Sequence, residues 1–280
     1  MGVYLDYQAT SPMPESVREV YVDALAGVGN TSSINQAGQR QRAILEDAKE
    51  RIARIVGCEP IEIILTSGGT EAINTALKGA VWAAQAARGP DTPTTLVSTR
   101  AEHHATLDAL QWLSTHEGTD IAWVPVDDQG VLDTDSLEVI LADHRPVMVA
   151  TLLANNEVGS IQPVGEIARL SLEAGTPVHV DAIATLGYLP INFAELGVTA
   201  MSLSAHKVGG PVGVGALVLS RHAPELSALM HGGDQQRGRS GTLDVAGVVA
   251  FAAALELREQ GRIEHGAHLA ARRDSLREQL

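Results

Sequence analysis

Five short segments of this chain carry side chains that could do chemistry, and most of them stand where an apolar run gives way to small or polar residues. In Met201-Ser-Leu-Ser-Ala-His-Lys207 a strand-like alternation ends in a histidine and a lysine, and Gly209, Gly210, Gly213 and Gly215 follow closely. A lysine at a strand end, with glycines removing bulk around it, can approach a bound molecule with its amine partly desolvated. Desolvation lowers the pKa of an amine and makes it a competent nucleophile toward an aldehyde. An isolated lysine in such a place is more often a surface residue. The remaining segments shift the balance.

Leu65-Thr-Ser-Gly-Gly-Thr-Glu-Ala-Ile-Asn74 sets a small-residue turn between a strand and a long helix. Backbone amides at a helix N-terminus form an anion site, and glycines such as Gly69 let a phosphate come close. No Gly-Lys-Ser/Thr follows, so this is not a Walker loop, and an ordinary helix cap at Ser67 or Thr70 explains the segment equally well. Val178-His-Val-Asp181 ends an apolar run in an acid. A carboxylate there points into the crevice where α/β sheets bind ligands and could hold a ring nitrogen protonated; a loop carboxylate or helix cap is the plainer alternative. Glu102-His-His104 follows another strand-like run. Adjacent side chains diverge, and no cysteine or third histidine completes a zinc spacing, so no metal site is expected; one histidine stacked on a planar ligand fits better. Asn155 and Asn156 supply two amides that could serve a ligand oxygen or simply close a turn.

The elements that must position these groups alternate regularly. Strands are expected at 62–65, 95–99, 121–126, 147–153, 177–180, 201–204 and 214–219, with helices at 38–56, 70–88, 105–116, 134–144 and 164–174. Such alternation means a mostly parallel sheet covered by helices on both faces. The last two strands are too close for a helical crossover, so that pair is expected to be antiparallel. From Asp244 the pattern is helix alone: an apolar helix, then a charged one over 266–280 without a stop signal after Leu280. The expected division is an N-terminal segment (1–13), a ligand-binding large domain (14–243) and a helical lead-in (244–280) to a C-terminal region that is missing.

Taken together, the segments resemble one family. The chain is similar to the cysteine desulfurases, in the class V aminotransferase branch of the fold-type I pyridoxal-phosphate enzymes. The resemblance runs from Tyr4-Leu-Asp-Tyr-Gln-Ala-Thr-Ser-Pro12 through Thr66-Ser-Gly-Gly-Thr-Glu71, Glu102-His103, Asn155-Asn-Glu-Val-Gly159, His179-Val-Asp-Ala182 and Ser204-Ala-His-Lys207 to Arg239-Ser-Gly-Thr242. It implies the α/β large domain of that fold, with pyridoxal 5′-phosphate as cofactor. It further implies that Lys207 carries the cofactor covalently, that Asp181 pairs with the pyridine nitrogen, and that His103 stacks on the ring. Asn156 would contact the ring oxygen. Gly69, Thr70, Ser204 and His206 would surround the phosphate, and Thr242 would reach it from the second subunit of a homodimer. Lys207, once displaced by a substrate amine, would lie beside the Cα proton and act as base and then acid.

There are departures. Ala184 stands where the family usually has a glutamine donor to the ring oxygen, and Asn35 closes Gly29-Asn-Thr-Ser-Ser-Ile-Asn35 where a histidine is common. Val212 replaces a lysine in Gly210-Pro-Val-Gly213, and Gln236-Arg-Gly-Arg-Ser240 is one residue short. The family's sulfur-accepting cysteine and substrate-carboxylate arginine are expected beyond residue 280. Cys58, the single thiol, has no family role, and an incidental cysteine is the expectation there.

Composition agrees with this reading. With 280 residues, 45% of them hydrophobic, and a mean hydropathy of +0.05, the chain can bury a large core and has no run long enough to span a bilayer. A net charge of −14 argues against nucleic acid or an anionic membrane as partner. One cysteine, and no basic and apolar leader at the start, point to the cytoplasm. The expected activity is transfer of sulfur from L-cysteine to an enzyme persulfide, with release of alanine. The persulfide would serve a sulfur-acceptor or scaffold protein in making iron–sulfur clusters or thiolated products. The alternatives are another class V transformation, by an aminotransferase or a β-lyase, or a truncated paralogue that binds without turnover.

Overall fold

A computed structural model describes residues 2–89 and 92–279. The end of the 244–280 stretch, Leu280, and the first residue of the 1–13 segment lie outside the described residues. Seven strands form one sheet: β1 (Ile63–Thr66), β2 (Thr95–Thr99), β3 (Asp120–Val124), β4 (Met148–Leu152), β5 (Val178–Asp181), β6 (Ala200–Ser204) and β7 (Gly215–Leu219), in the order β1-β7-β6-β5-β4-β2-β3. Strands β3, β2, β4, β5 and β6 pair in parallel, whereas β7 runs antiparallel to both β6 and β1. Two reversals in succession return β1 to the common direction. The C-terminal ends of β1 to β6 therefore open on one edge of the sheet, the edge where ligands of open α/β sheets bind.

The helices are α1 (Glu15–Leu25), α2 (Gln36–Val56), α3 (Gly69–Arg88), α4 (His104–Glu117), α5 (Thr134–His144), α6 (Val164–Glu173), α7 (Phe193–Leu196), α8 (Val245–Gln260) and α9 (Arg262–Gln279). Alternate strand residues go to opposite layers, as the two-residue period of a strand requires. Val97, Val149, Val180, Met201 and Val218 join the core under α2, α6 and α8, while Leu96, Met148 and Ala150 pack under α3 and α4. Both faces are covered, so the strands read as nearly continuous apolar runs.

The expected strands and helices fall within a few residues of those observed, and the antiparallel last pair is present. Two helices escape the sequence reading. α1 is largely exposed apart from Val17, and α7 is a single turn. Asn35, one of the departures noted above, caps α2: its side chain accepts the Gly38 N–H at 2.8 Å. α8 is apolar on every side and fills the space against α1 and α2, whereas none of the described residues of α9 is buried. Among the described residues no helix is long and apolar enough to cross a membrane.

Phe251, on α8, is fully buried in this core. Phe251→Ala is expected to lower the unfolding free energy by about 3–5 kcal/mol, through lost transfer energy and the cavity left behind. Chemical denaturation followed by circular dichroism checks this.

Candidate active site

At the open edge of the sheet a cavity of about 310 Å³ is lined by Gly69, Thr70, His103, Asn156, Asp181, Ser204, His206 and Lys207. Ala9, Ala105, Leu152, Ala154, Ile183 and Ala184 complete its wall. Of the residues to which the resemblance gives a role at the cofactor, only Thr242 does not line the cavity; it is exposed.

Each group arrives at the end of a strand for a local reason. β1 ends at Thr66 and the chain turns into α3 at Gly68, whose φ of 153° is a conformation open to glycine and costly for other residues. Close packing enforces the turn, since a Cβ on Gly215 of β7 would lie 2.6 Å from the Gly68 Cα. α3 then starts with no side chain capping its first N–H groups. A twenty-residue helix thus presents free donors and the positive end of its dipole to the cavity.

Asp181 ends β5 and is only 6% exposed. Burial holds its carboxyl above the ordinary range, against the Ile183 N–H that its Oδ1 accepts at 2.9 Å and the charge of Lys207. Lys207 lies in a 3₁₀ turn, Ala205–Val208, directly after β6, rather than on the strand itself. Burial lowers the pKa of its amine, and Asp181 and Asp6 offset part of that effect. His206 is also held below its usual value, by burial and then by the charge of Lys207.

Several supporting contacts have no signal in the local sequence. Residues 8–11 form a strap across the lysine turn: Lys207 Nζ donates to the Gln8 carbonyl, His206 Nδ1 contacts Thr10 Oγ1 at 3.2 Å, and Ser11 Oγ donates to the Lys207 carbonyl at 2.8 Å. The two asparagines divide their labour. Asn155 is consumed by its loop, donating to the Ala101 carbonyl at 2.9 Å and accepting the N–H groups of Glu157 and Val158. Asn156 faces the cavity. His103 caps α4 by accepting the Ala105 N–H on Nδ1 at 3.0 Å, which assigns the proton of the neutral ring to Nε2.

A further clamp joins the cavity to the segment that carries Thr242. Gln236 grips the edge of β1, accepting the Leu65 N–H at 2.7 Å and donating to its carbonyl at 3.0 Å. Arg239 pairs with Glu71, in the first turn of α3, at 2.8 Å, and both side chains are nearly buried. Burial works against ionisation of Glu71, but the bonds from Arg239 and Ser67 prevail and hold its carboxyl below the usual range.

A carbonyl-bearing pyridine phosphate fits these donors. The open helix N-terminus suits the phosphate, the buried carboxylate a ring N–H, and the partly desolvated amine an aldehyde. Cys58 is elsewhere, in a separate cavity with Glu62, Phe193 and His222. Burial and then Glu62 push its thiol up to about 12, the opposite of a reactive cysteine. Among the described residues no cluster of three or more potential ligands for a metal ion is present.

The parallel sheet with one reversed strand, and the cavity at its C-terminal edge, are those of a fold-type I pyridoxal-phosphate enzyme. The sequence profile described as Aminotransferase class-V matches residues 3–280. An IscS-like cysteine desulfurase of Mycobacterium tuberculosis is 42% identical over 98% of this chain and 69% of its own length. The cysteine desulfurase IscS of Dictyoglomus turgidum is 40% identical over 91% of the chain and 63% of its own length. A solved NifS-like protein superposes with a TM-score of 0.92 at 36% identity, over 99% of this chain and 75% of that one. The chain belongs to the class-V aminotransferase family, within its cysteine desulfurase branch, whose cofactor is pyridoxal 5′-phosphate. It spans roughly two thirds of the length of the curated relatives it matches.

Arg239→Gln would leave the Glu71 charge uncompensated beside the anion site. The expected result is roughly tenfold weaker binding of pyridoxal phosphate, with little change for pyridoxal, which lacks the phosphate. Equal losses for the two ligands, read by absorbance titration, would contradict this.

Proposed function

We propose that this chain holds the cofactor and starts the reaction in a cysteine desulfurase that removes sulfur from L-cysteine and releases alanine. The observation that carries the reading is the convergence of the Lys207 amine, the Asp181 carboxylate and the uncapped start of α3 on one cavity. Family membership supports it. So does a solved relative described as SspA in complex with cysteine, 30% identical over 91% of this chain with a TM-score of 0.83.

Bound in the cavity, the cofactor would supply an aldehyde to receive the substrate amine and a ring to accept an electron pair. The chain's own residues would do the rest. Lys207 attaches the cofactor, then takes a proton from the substrate Cα and returns one, a role that its lowered pKa suits. Asp181 holds the ring nitrogen protonated, and His103 covers the ring face with Nδ1 already engaged by its own helix. Asn156 donates to the ring oxygen. Ala184, also on the cavity wall, offers no second donor. Gly69, Thr70, Ser204 and His206 bind the phosphate.

Two further parts of the reading lie outside this cavity. Thr242 is exposed and does not line its own subunit's cavity, which supports a homodimer in which each subunit completes the partner's phosphate site. The sulfur-accepting thiol is assigned outside residues 1–280, because Cys58 is remote and its thiol is protonated at neutral pH. On this reading residues 14–243 are the cofactor-binding unit and 244–280 lead onward from it. The persulfide would then serve an acceptor or scaffold protein in the cytoplasm.

The chain has three lysines, Lys49, Lys78 and Lys207, which makes the attachment point easy to read. Borohydride reduction of the reconstituted chain, followed by peptide mapping, is expected to place the pyridoxyl group on Lys207. Label on Lys49 or Lys78, or no visible absorbance from bound cofactor in a folded sample, would overturn the assignment. Ultracentrifugation is expected to show that the species retaining cofactor is a dimer. Thr242→Ala should retain less, and a cofactor-loaded monomer would contradict the exchange.

A further inference from the structure

One buried acid has no part in the site as described. Glu102 directly precedes His103, and the residue is 7% exposed. Its place follows from how the sheet opens. β2 and β4 pair through Leu96↔Met148 and Val97↔Val149, after which their ladder ends. Side chains continue it: Ser98 Oγ donates to the Ala150 carbonyl at 2.9 Å, and Glu102 Oε1 accepts the Leu152 N–H at 3.2 Å. Leu152 is the residue paired with Asp181 in the β4–β5 register. The Glu102 carboxyl is therefore fastened to the backbone directly opposite the carboxylate of the cofactor site.

The two oxygens of Glu102 are unlike. Oε1 accepts from Leu152 N–H and from Thr99 Oγ1, both at 3.2 Å, while Oε2 is buried with no hydrogen-bond partner. Among the described residues no lysine, arginine or histidine forms an ion pair with it. An ionised carboxylate spreads its charge over both oxygens and is costly to bury with one of them bare. A neutral carboxylic acid, whose carbonyl oxygen accepts both bonds, leaves only an unpaired hydroxyl on the other side, which costs far less than a bare oxygen of an ionised group.

The neighbouring charges point the same way. Asp181, on β5, is the acid that acts on Glu102, and the Lys207 ammonium, from the turn after β6, acts on Asp181, while His103, the cap of α4, meets the same carboxyl as a ring whose Nδ1 is an acceptor. Two buried carboxyls that act on one another do not both ionise readily, and the one with a cation in front of it ionises first.

We propose that Glu102 is a positioning residue that stays protonated at neutral pH, leaving Asp181 as the single negative charge under the cofactor ring. Burial and then Asp181 raise the Glu102 carboxyl to about 8, against the Leu152 and Thr99 bonds, which agrees with the geometry. The meaning of that charge rests on the cofactor reading above; the location of the proton does not. His179, buried on the same face of β5, cannot supply a compensating charge. Burial lowers it to about 3, and its Nε2 is held by Ser202 Oγ at 2.7 Å.

The test is made on the cofactor-free chain, so a failure to bind cofactor leaves it intact. Infrared difference spectra at pH 7 are expected to contain a protonated-carboxyl stretch that shifts on ¹³C-glutamate labelling. That component should be absent in Glu102→Gln, present in Asp181→Asn, and lost from the parent as pH rises through about 8. A stretch that labelling leaves unmoved, or one lost in Asp181→Asn and kept in Glu102→Gln, overturns the proposal.

Thermal melts give a second readout that serves even if one variant is poorly stable. A carboxyl whose folded pKa is raised stabilises the fold fully below its unfolded value of 4.5, and that contribution disappears as pH climbs to about 8. Glu102→Gln should therefore gain on the parent steadily between these limits and level off above them. A difference in melting temperature that does not vary with pH overturns the proposal, because a purely structural Glu102 gives that result.

Discussion

Asp181 is a carboxylate held almost out of water, and the organisation of the cavity depends on that. Burying an ionised carboxylate without a cation costs several kcal/mol, and part of that cost is offset here by one backbone N–H and the charge of Lys207. Left over is a standing demand for one more positive group, which the proposed pyridinium N–H answers. The sheet order supplies the setting. Because only β7 is reversed, six strand ends open on one edge, so groups far apart in the chain meet there without any element bending out of its way.

Charge around that centre is confined by layers of ordinary structure. At the phosphate end, the dipole and free N–H groups of α3 favour an anion, and Arg239 cancels the one acid, Glu71, that would oppose it. At the lysine end, the strap from residues 8–11 fixes the turn through Gln8, Thr10 and Ser11. Glu102 closes the widening seam between β2 and β4 and, when neutral, adds no second negative charge.

The parts of this arrangement that were legible in the sequence are those that local pattern dictates. Apolar runs located all seven strands, and Ser-Gly-Gly-Thr, Val-His-Val-Asp and Ser-Ala-His-Lys were conspicuous because each interrupts such a run at a strand end. The supporting contacts were not legible because they join distant positions. The strap spans residues 8–11 to 206–207, and Gln236 reaches back to Leu65. Glu102 reads as one more loop acid until the β2–β4 ladder is seen to stop short of it. His103 reads as a ligand-facing histidine, but its second role as the cap of α4 follows only from geometry. Thr242 is the reverse case, since resemblance alone gives it a role that its own subunit cannot supply.

The central claim is that a buried, ionised Asp181 holds the nitrogen of the bound cofactor protonated. The most direct measurement is the ¹⁵N chemical shift of ring-labelled pyridoxal phosphate bound to this chain, in the parent and in Asp181→Asn. The account predicts a pyridinium shift in the parent at neutral pH and a neutral-pyridine shift in the variant. A neutral-pyridine shift in the parent, or a pyridinium shift that survives in the variant, would contradict it.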